Sequence, residues 1–400
     1  MSHPVAKPSP SLIAHFFSGG FRPFFLIGAL HAALMIALWV PWFLGFIHVP
    51  TALSPVAWHQ HELLFGFVPA VIAGFLLTAV PNWTGRKAFT GWPLAFLFAL
   101  WMAGRLAIAG SEAIGLSTAM VLAGAFLPVL AGLILRELIA ARNSRNYKVI
   151  AVMGVLFAGQ LTFFWEFDRY GRIELADKGA IATIIFLISL IGGRIIPSFT
   201  GNWLRQNNPG ALPPAFNRFD LSTMVLSALA LAAWPIATGF TALAPFAGVL
   251  LIVAGIAQFL RQLRWRAERT LAEPLVTILH IAFLFIPLGF LMTGAALLLD
   301  DAGVRTAGVH AWTSGAIGAM TLAVMTRATR GHSGQALRSP ATTTFGIYVP
   351  IVLAAVLRVT VALAPELNLV LLPLAGLLWF IAFLSFAAFY GPLVLRRKIG

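Results

Sequence analysis

The segment 58-WHQHELLFGFVPAVIAGFLLTAV-80 decides the fold. From residue 63 to residue 80 it holds 18 successive positions without one ionisable side chain, and a helix that crosses a bilayer needs about 20 apolar residues. Its leading edge carries His59, His61 and Glu62, groups that are expensive to place in lipid. Comparable apolar runs recur from end to end, in a chain of 400 residues that is 60% hydrophobic and 10% charged. A soluble globular domain carries about 25% charged residues. The composition therefore specifies an all-α polytopic membrane protein embedded in a lipid bilayer. The first 23 residues hold four prolines and lack the apolar core and small-residue cleavage site of a secretory signal. With no cysteine, disulfides, thiolate zinc sites, iron–sulfur clusters and covalently attached haem are excluded. Any metal must be held by His, Met, Glu or Asp.

The apolar runs predict twelve helices, at 24–46, 58–80, 92–111, 116–139, 148–166, 179–198, 220–239, 242–261, 274–299, 307–326, 345–364 and 367–391. Polar stretches too short for a soluble domain separate them. The expected organisation is a cytoplasmic N-terminal segment 1–23, a single transmembrane domain 24–395 and a cytoplasmic tail 396–400. Of the 27 Lys and Arg residues, 21 fall at the termini or after the even-numbered spans. That count includes Lys7, Arg261, Arg397 and Lys398. The bias puts both termini in the cytoplasm. It also assigns the net charge of +14 to a membrane face near anionic lipid, not to nucleic acid.

Depth follows from a rise of about 1.5 Å per residue. His59, His61 and Glu62 open the second span from outside, and His310 opens the tenth from the same side. The third and eleventh spans run outward and bring Arg105 and Arg358 to that level. Taken singly, each has an ordinary explanation: an interfacial hydrogen bond for a histidine, a snorkelling arginine, a helix-capping role for Glu62. Their convergence at one depth favours a site. His59 is expected to share a face with Glu62, Gly66, Ala70 and Ala73, and His61 to point about 200° away from it. His310 is expected above Ser314, Gly318 and Thr321. Two histidines on different helices above small residues suit axial ligation of a haem iron, with Arg105 and Arg358 pairing its propionates.

Four more histidines lie toward the other face. Imidazole suits copper, so His280, His31, His332 and His15 are the material for a second metal. The ordinary reading is preferred for His31 as a hydrogen-bonded core residue and for His15 and His332 as surface-loop residues. For His280 the two readings balance. The stretches GGRIIPSFTGNW (192–203) and AVPNWTGR (79–86) read as helix terminators, and Arg194 is given no chemistry.

Together GFRPFF (20–25), WHQHELLFGF (58–67), GFLLTAVPNWTG (74–85), GGRIIPSFT (192–200), Leu279–His280 and HAWTSGAIGAMTLAVMTRATRGHSG (310–334) resemble the NnrS family along nearly the whole chain. Two mild departures are Leu63 in place of methionine, which removes a thioether, and GHSG in place of GHTG. The resemblance implies a multi-pass protein of the bacterial inner membrane that contains haem and copper and acts in nitric oxide metabolism and nitrosative-stress resistance. It implies functional roles for His59, His61, Glu62, His280, His310 and His332, with the metal ligands drawn from the histidines. The haem would be of b type, and Glu62 is the candidate proton relay. Nitric oxide or an iron–nitrosyl species is the expected partner, with the electron donor unspecified and oxidoreductase activity open. A weaker architectural likeness, to subunit I of haem–copper oxidases, extends only to the low-spin haem position. The sixth and seventh spans contain no histidine, and Gly308 stands where a second haem ligand would be. The competing reading is a twelve-helix secondary transporter without haem, although no six-plus-six repeat is apparent.

Overall fold

The computed structural model describes residues 11–396, so Lys7, Arg397, Lys398 and the outer parts of both terminal segments lie outside the described residues. Helices and their connections account for all of it, with no strand among the described residues. We label the long helices α1 Phe21–Phe43, α2 Pro55–Thr84, α3 Trp92–Ala109, α4 Leu116–Ala140, α5 Ser144–Tyr170, α6 Ala176–Asn207, α7 Arg218–Gly239, α8 Thr241–Arg269, α9 Pro274–Leu299, α10 (302–332), α11 Ala341–Leu363 and α12 Pro365–Leu395. Eleven of them are long and apolar enough to cross a membrane. The remaining run, α10, has the length but is diluted by His310, Thr313, Ser314 and several glycines.

Local chemistry sets the ends. At the start of α2, Ser54 caps by accepting from the Ala57 N–H, and Pro55 occupies the position where a missing N–H costs nothing. At its end Gly85 takes a left-handed conformation, φ 67°, that stops the helix. The AVPNWTGR stretch is thus a terminator, but at Gly85, with Pro81 still inside the helix.

The GGRIIPSFTGNW stretch is not a terminator: α6 runs through it and through Pro197 to Asn207. Neighbouring helices and side chains can re-satisfy the backbone groups a proline frees within a membrane helix. The glycines serve packing instead. A Cβ on Gly193 would lie 2.1 Å from Arg261 Nη2. Arg261, expected in a loop, is fully buried near the end of α8. There it donates to Asp220 at 3.0 Å and to the Ser189 carbonyl at 3.2 Å. Asp220 is itself fixed by a capping box with Asn217 at the start of α7. His15 also departs from its expected loop. It is buried on a short helix, Leu12–Phe16, with Nε2 2.9 Å from Arg22 Nη1.

Burial sorts inner helices from outer ones. In the apolar windows of α1, α2 and α9, 72%, 78% and 67% of residues are buried, against 33% for α8 and α12. α12 returns to pack on α1, and α10 touches α1, α6, α9, α11 and α12. The two helices that carry His59 and His310 share an irregularity. Each turns π-helical just past its histidine motif, at Glu62–Phe67 in α2 and Ala311–Ala319 in α10. Such wide turns recur at functional sites.

Candidate functional site

A cavity of about 430 Å³ opens among α1, α2, α6, α7, α10, α11 and α12. His59, His310 and Arg358 line it, with Trp39, Trp234 and Trp379 as aromatic walls and Gln60, Asp177, Lys178 and Arg305 contributing polar groups. A mostly apolar pocket of this size with a few convergent polar groups has the character of a ligand site. The His59 ring stacks on Trp39 with centroids 4.1 Å apart and planes inclined by 22°. His59 Nδ1 is buried without a hydrogen-bond partner. His310 Nδ1 lies 2.8 Å from the Thr306 carbonyl oxygen. A carbonyl can only accept, so Nδ1 carries the proton and Nε2 keeps its lone pair. That arrangement is typical of a metal-binding imidazole held by an outer partner. Arg358 lies within electrostatic reach of both rings, and no carboxylate among the described residues pairs with it.

Glu62 does not face this cavity. Although Glu62 follows His59 by about one turn, the α2 residues that line the cavity beside His59 are Val56, Gln60, Leu63, Leu64, Phe67 and Val68. Its carboxylate instead gathers three basic groups in the protein interior. Arg105 Nη1 donates to Oε1 at 2.5 Å, His61 Nδ1 is 2.9 Å from the same oxygen, and His31 Nε2 is 3.2 Å from Oε2. His61 Nε2 faces the Gln160 amide at 3.4 Å, which commits both of its ring nitrogens. Arg105 and His61 therefore stand apart from the cavity that holds His59 and His310. His31 is hydrogen-bonded as expected, yet it belongs to the Glu62 cluster, which sequence reading did not foresee.

Gly66 explains how four ionisable groups fit together. Its carbonyl accepts from Trp101 Nε1 at 2.9 Å, and a Cβ there would lie 2.5 Å from Arg105 Nη1 and 3.1 Å from His31 Nε2. Gly66→Ala is expected to cost about 1–3 kcal/mol through overpacking. Thermal denaturation in detergent checks this against Gly179→Ala, where a Cβ meets open space and the change should be neutral or stabilising.

The remaining candidates are scattered. His280 Nε2 lies 2.8 Å from Thr200 Oγ1, with Nδ1 buried and unpartnered. His332 is the last residue of α10, partly exposed, its ring 5.4 Å from that of Phe21, and it borders a different cavity. Among the described residues no group of three or more His, Asp and Glu could hold a metal ion. Of the predicted small faces, Ser314 lines the cavity as expected. Gly318 does not, and makes room for the Trp379 ring instead. Sequence reading missed Trp39, which bears no ionisable group and does not stand out among the apolar residues of α1.

These features define a multi-helix membrane protein with two histidines, from two π-distorted helices, facing one interior cavity. The chain belongs to the NnrS family: the family model described as NnrS protein matches residues 15–398. None of the curated proteins compared with the chain matches it.

Proposed function

We propose that this protein holds a b-type haem between His59 and His310 and works in the handling of nitric oxide or iron–nitrosyl species. In this reading it is a single twelve-span domain of the bacterial inner membrane with both termini cytoplasmic, which sets the cavity near the periplasmic side. One observation supports the haem proposal: two imidazoles line a common cavity, His59 with a buried Nδ1 that has no hydrogen-bond partner and His310 with Nδ1 held by the Thr306 carbonyl, beside Arg358, which pairs with no carboxylate among the described residues.

When bound, the haem would supply reversible one-electron chemistry. The protein's part is orientation and charge. The Thr306 carbonyl fixes the His310 tautomer and leaves Nε2 free to ligate. Trp39 restricts rotation of the His59 ring and keeps water from it. Arg358 offers a planar fork that suits a propionate, the role once divided between Arg105 and Arg358. Glu62 bridges His31 and His61 through different oxygens, a geometry suited to passing a proton between the two rings. The residues do not fit a three-ligand copper site, since His280 and His332 stand apart and no such cluster exists among the described residues. We route no step through copper.

The test is a reduced-minus-oxidised absorption spectrum of the purified protein, together with its haem content. Sharp Soret and α bands at about one haem per chain are the expected result. A colourless preparation would remove the haem reading and leave a transporter, for which the same cavity would be the substrate chamber.

A further inference from the structure

A second cavity, of about 330 Å³, lies among α1, α2, α6 and α10 toward the Gly85 end of α2. We propose that it binds the headgroup of an anionic phospholipid of the phosphatidylglycerol type, with an acyl chain running into the groove beside it.

The charge balance points to an anion. Arg327 lines this cavity, half-buried, with the Phe199 ring 3.9 Å from its guanidinium carbon and no salt bridge among the described residues. Glu273 lies within its electrostatic reach, but Glu273 Oε1 is taken up by the backbone N–H groups of Leu275 and Ser339. No carboxylate lines the cavity, whereas His332 does. A half-buried cation that makes no salt bridge among the described residues has its fork free for an anion, and intramembrane cations normally mark a partner. Basic pockets between membrane helices suit anionic headgroups. Asn82 adds a polar side chain for headgroup hydroxyls. Its Nδ2 donates weakly to the Thr78 carbonyl, at 3.5 Å, and Oδ1 stays free to accept.

Shape points to a lipid over a free anion. The headgroup cavity shares Phe75, Ile195 and Val324 with an apolar groove of about 90 Å³ between α2, α6 and α10. That groove continues along Ile72, Ile188 and Ile191, so a chain leaving the headgroup has a channel to follow. Free phosphate would leave it unused.

Native mass spectrometry of the delipidated full-length protein tests the proposal. Dioleoylphosphatidylglycerol, dioleoylphosphatidylcholine and inorganic phosphate are each titrated, and the melting temperature is followed in parallel. One phosphatidylglycerol should bind per chain, with phosphatidylcholine about tenfold weaker or more and phosphate giving no stabilisation. Arg327→Gln should lower retention by about tenfold, and Arg327→Lys should restore most of it. Val324→Phe, which leaves the cation in place but fills the groove, should weaken retention as well. Equal binding of the two lipids would overturn the proposal, as would stabilisation by phosphate alone. So would wild-type retention by a folded Arg327→Gln protein or by Val324→Phe.

Discussion

His59→Ala and His310→Ala are each expected to remove the low-spin haem signal from the purified protein, whereas His61→Ala should keep it. The sequence offers all three histidines as ligands, and the geometry separates them. His61 spends Nδ1 on Glu62 and Nε2 on Gln160, and it sits among Phe65, Phe163 and Phe164 with ring centroids 5.1 to 5.8 Å away. It has no lone pair to offer a metal without breaking buried hydrogen bonds. His59 and His310 both line the cavity; His59 Nδ1 has no hydrogen-bond partner, and His310 uses Nδ1 on the Thr306 carbonyl and keeps Nε2 for a ligand. Loss of a partner behind a ligand already costs about 10–100-fold in metal affinity, so loss of the ligand itself should leave haem content at a small fraction of one per chain. His61→Ala should lower the melting temperature while preserving the spectrum, since it empties packed space at a cost of about 2–4 kcal/mol. Added imidazole should return the bands to His310→Ala, because the alanine leaves the cavity open to a free ligand. A merely misfolded protein would not respond. Haem retained by His59→Ala and lost from His61→Ala would transfer the site to the Glu62 cluster.

How much of this was legible in the sequence depends on which physics carries each feature. Apolar runs report lipid burial directly, so each predicted segment falls on a long helix, eleven of them apolar enough to cross a membrane, and most ends moved by only a few residues. The errors came where glycine and proline have two meanings. In α6 they accommodate Arg261 and leave the helix intact, and nothing local to 192–203 reveals a partner on α8. The site was readable to the level of depth: His59 and His310 were placed together with Arg358, and they share a cavity. Rotation was not readable. A regular 3.6-residue period puts Glu62 about one turn from His59, but it cannot say that of the two only His59 lines the cavity while the Glu62 carboxylate turns to Arg105, His61 and His31. Arg105 and His31 lie on other helices and leave no local signal. The same limit hid His31, whose role depends on a carboxylate 31 residues away.

Arg105→Met is expected to destabilise the protein more than any single change in the cavity lined by His59 and His310, and the reason lies in what it leaves behind. Arg105 and Glu62 are 6% and 1% exposed, so neither charge can turn to water when its partner is lost. Truncating one member of a buried pair costs about 3–5 kcal/mol, most of it the penalty of the stranded charge. With Arg105 gone, Glu62 keeps only His31 and His61, which can share a proton but supply no fixed cation. Glu62→Gln should be milder, because the amide oxygen still accepts from Arg105 and the shape is preserved. Combining Arg105→Met with Glu62→Gln should recover much of the loss, giving a coupling between the two sites well above the ~0.5 kcal/mol expected of independent positions. Melting midpoints of the four proteins in one detergent supply the cycle. Additive losses would mean that the pair is not held as a unit. Glu62→Gln also isolates the proton relay: its haem spectrum should be unchanged while nitric oxide handling slows, because an amide fills the same space without carrying a proton. Unaltered handling by a folded Glu62→Gln protein would reduce Glu62 to the anchor that keeps α2 and α3 in register.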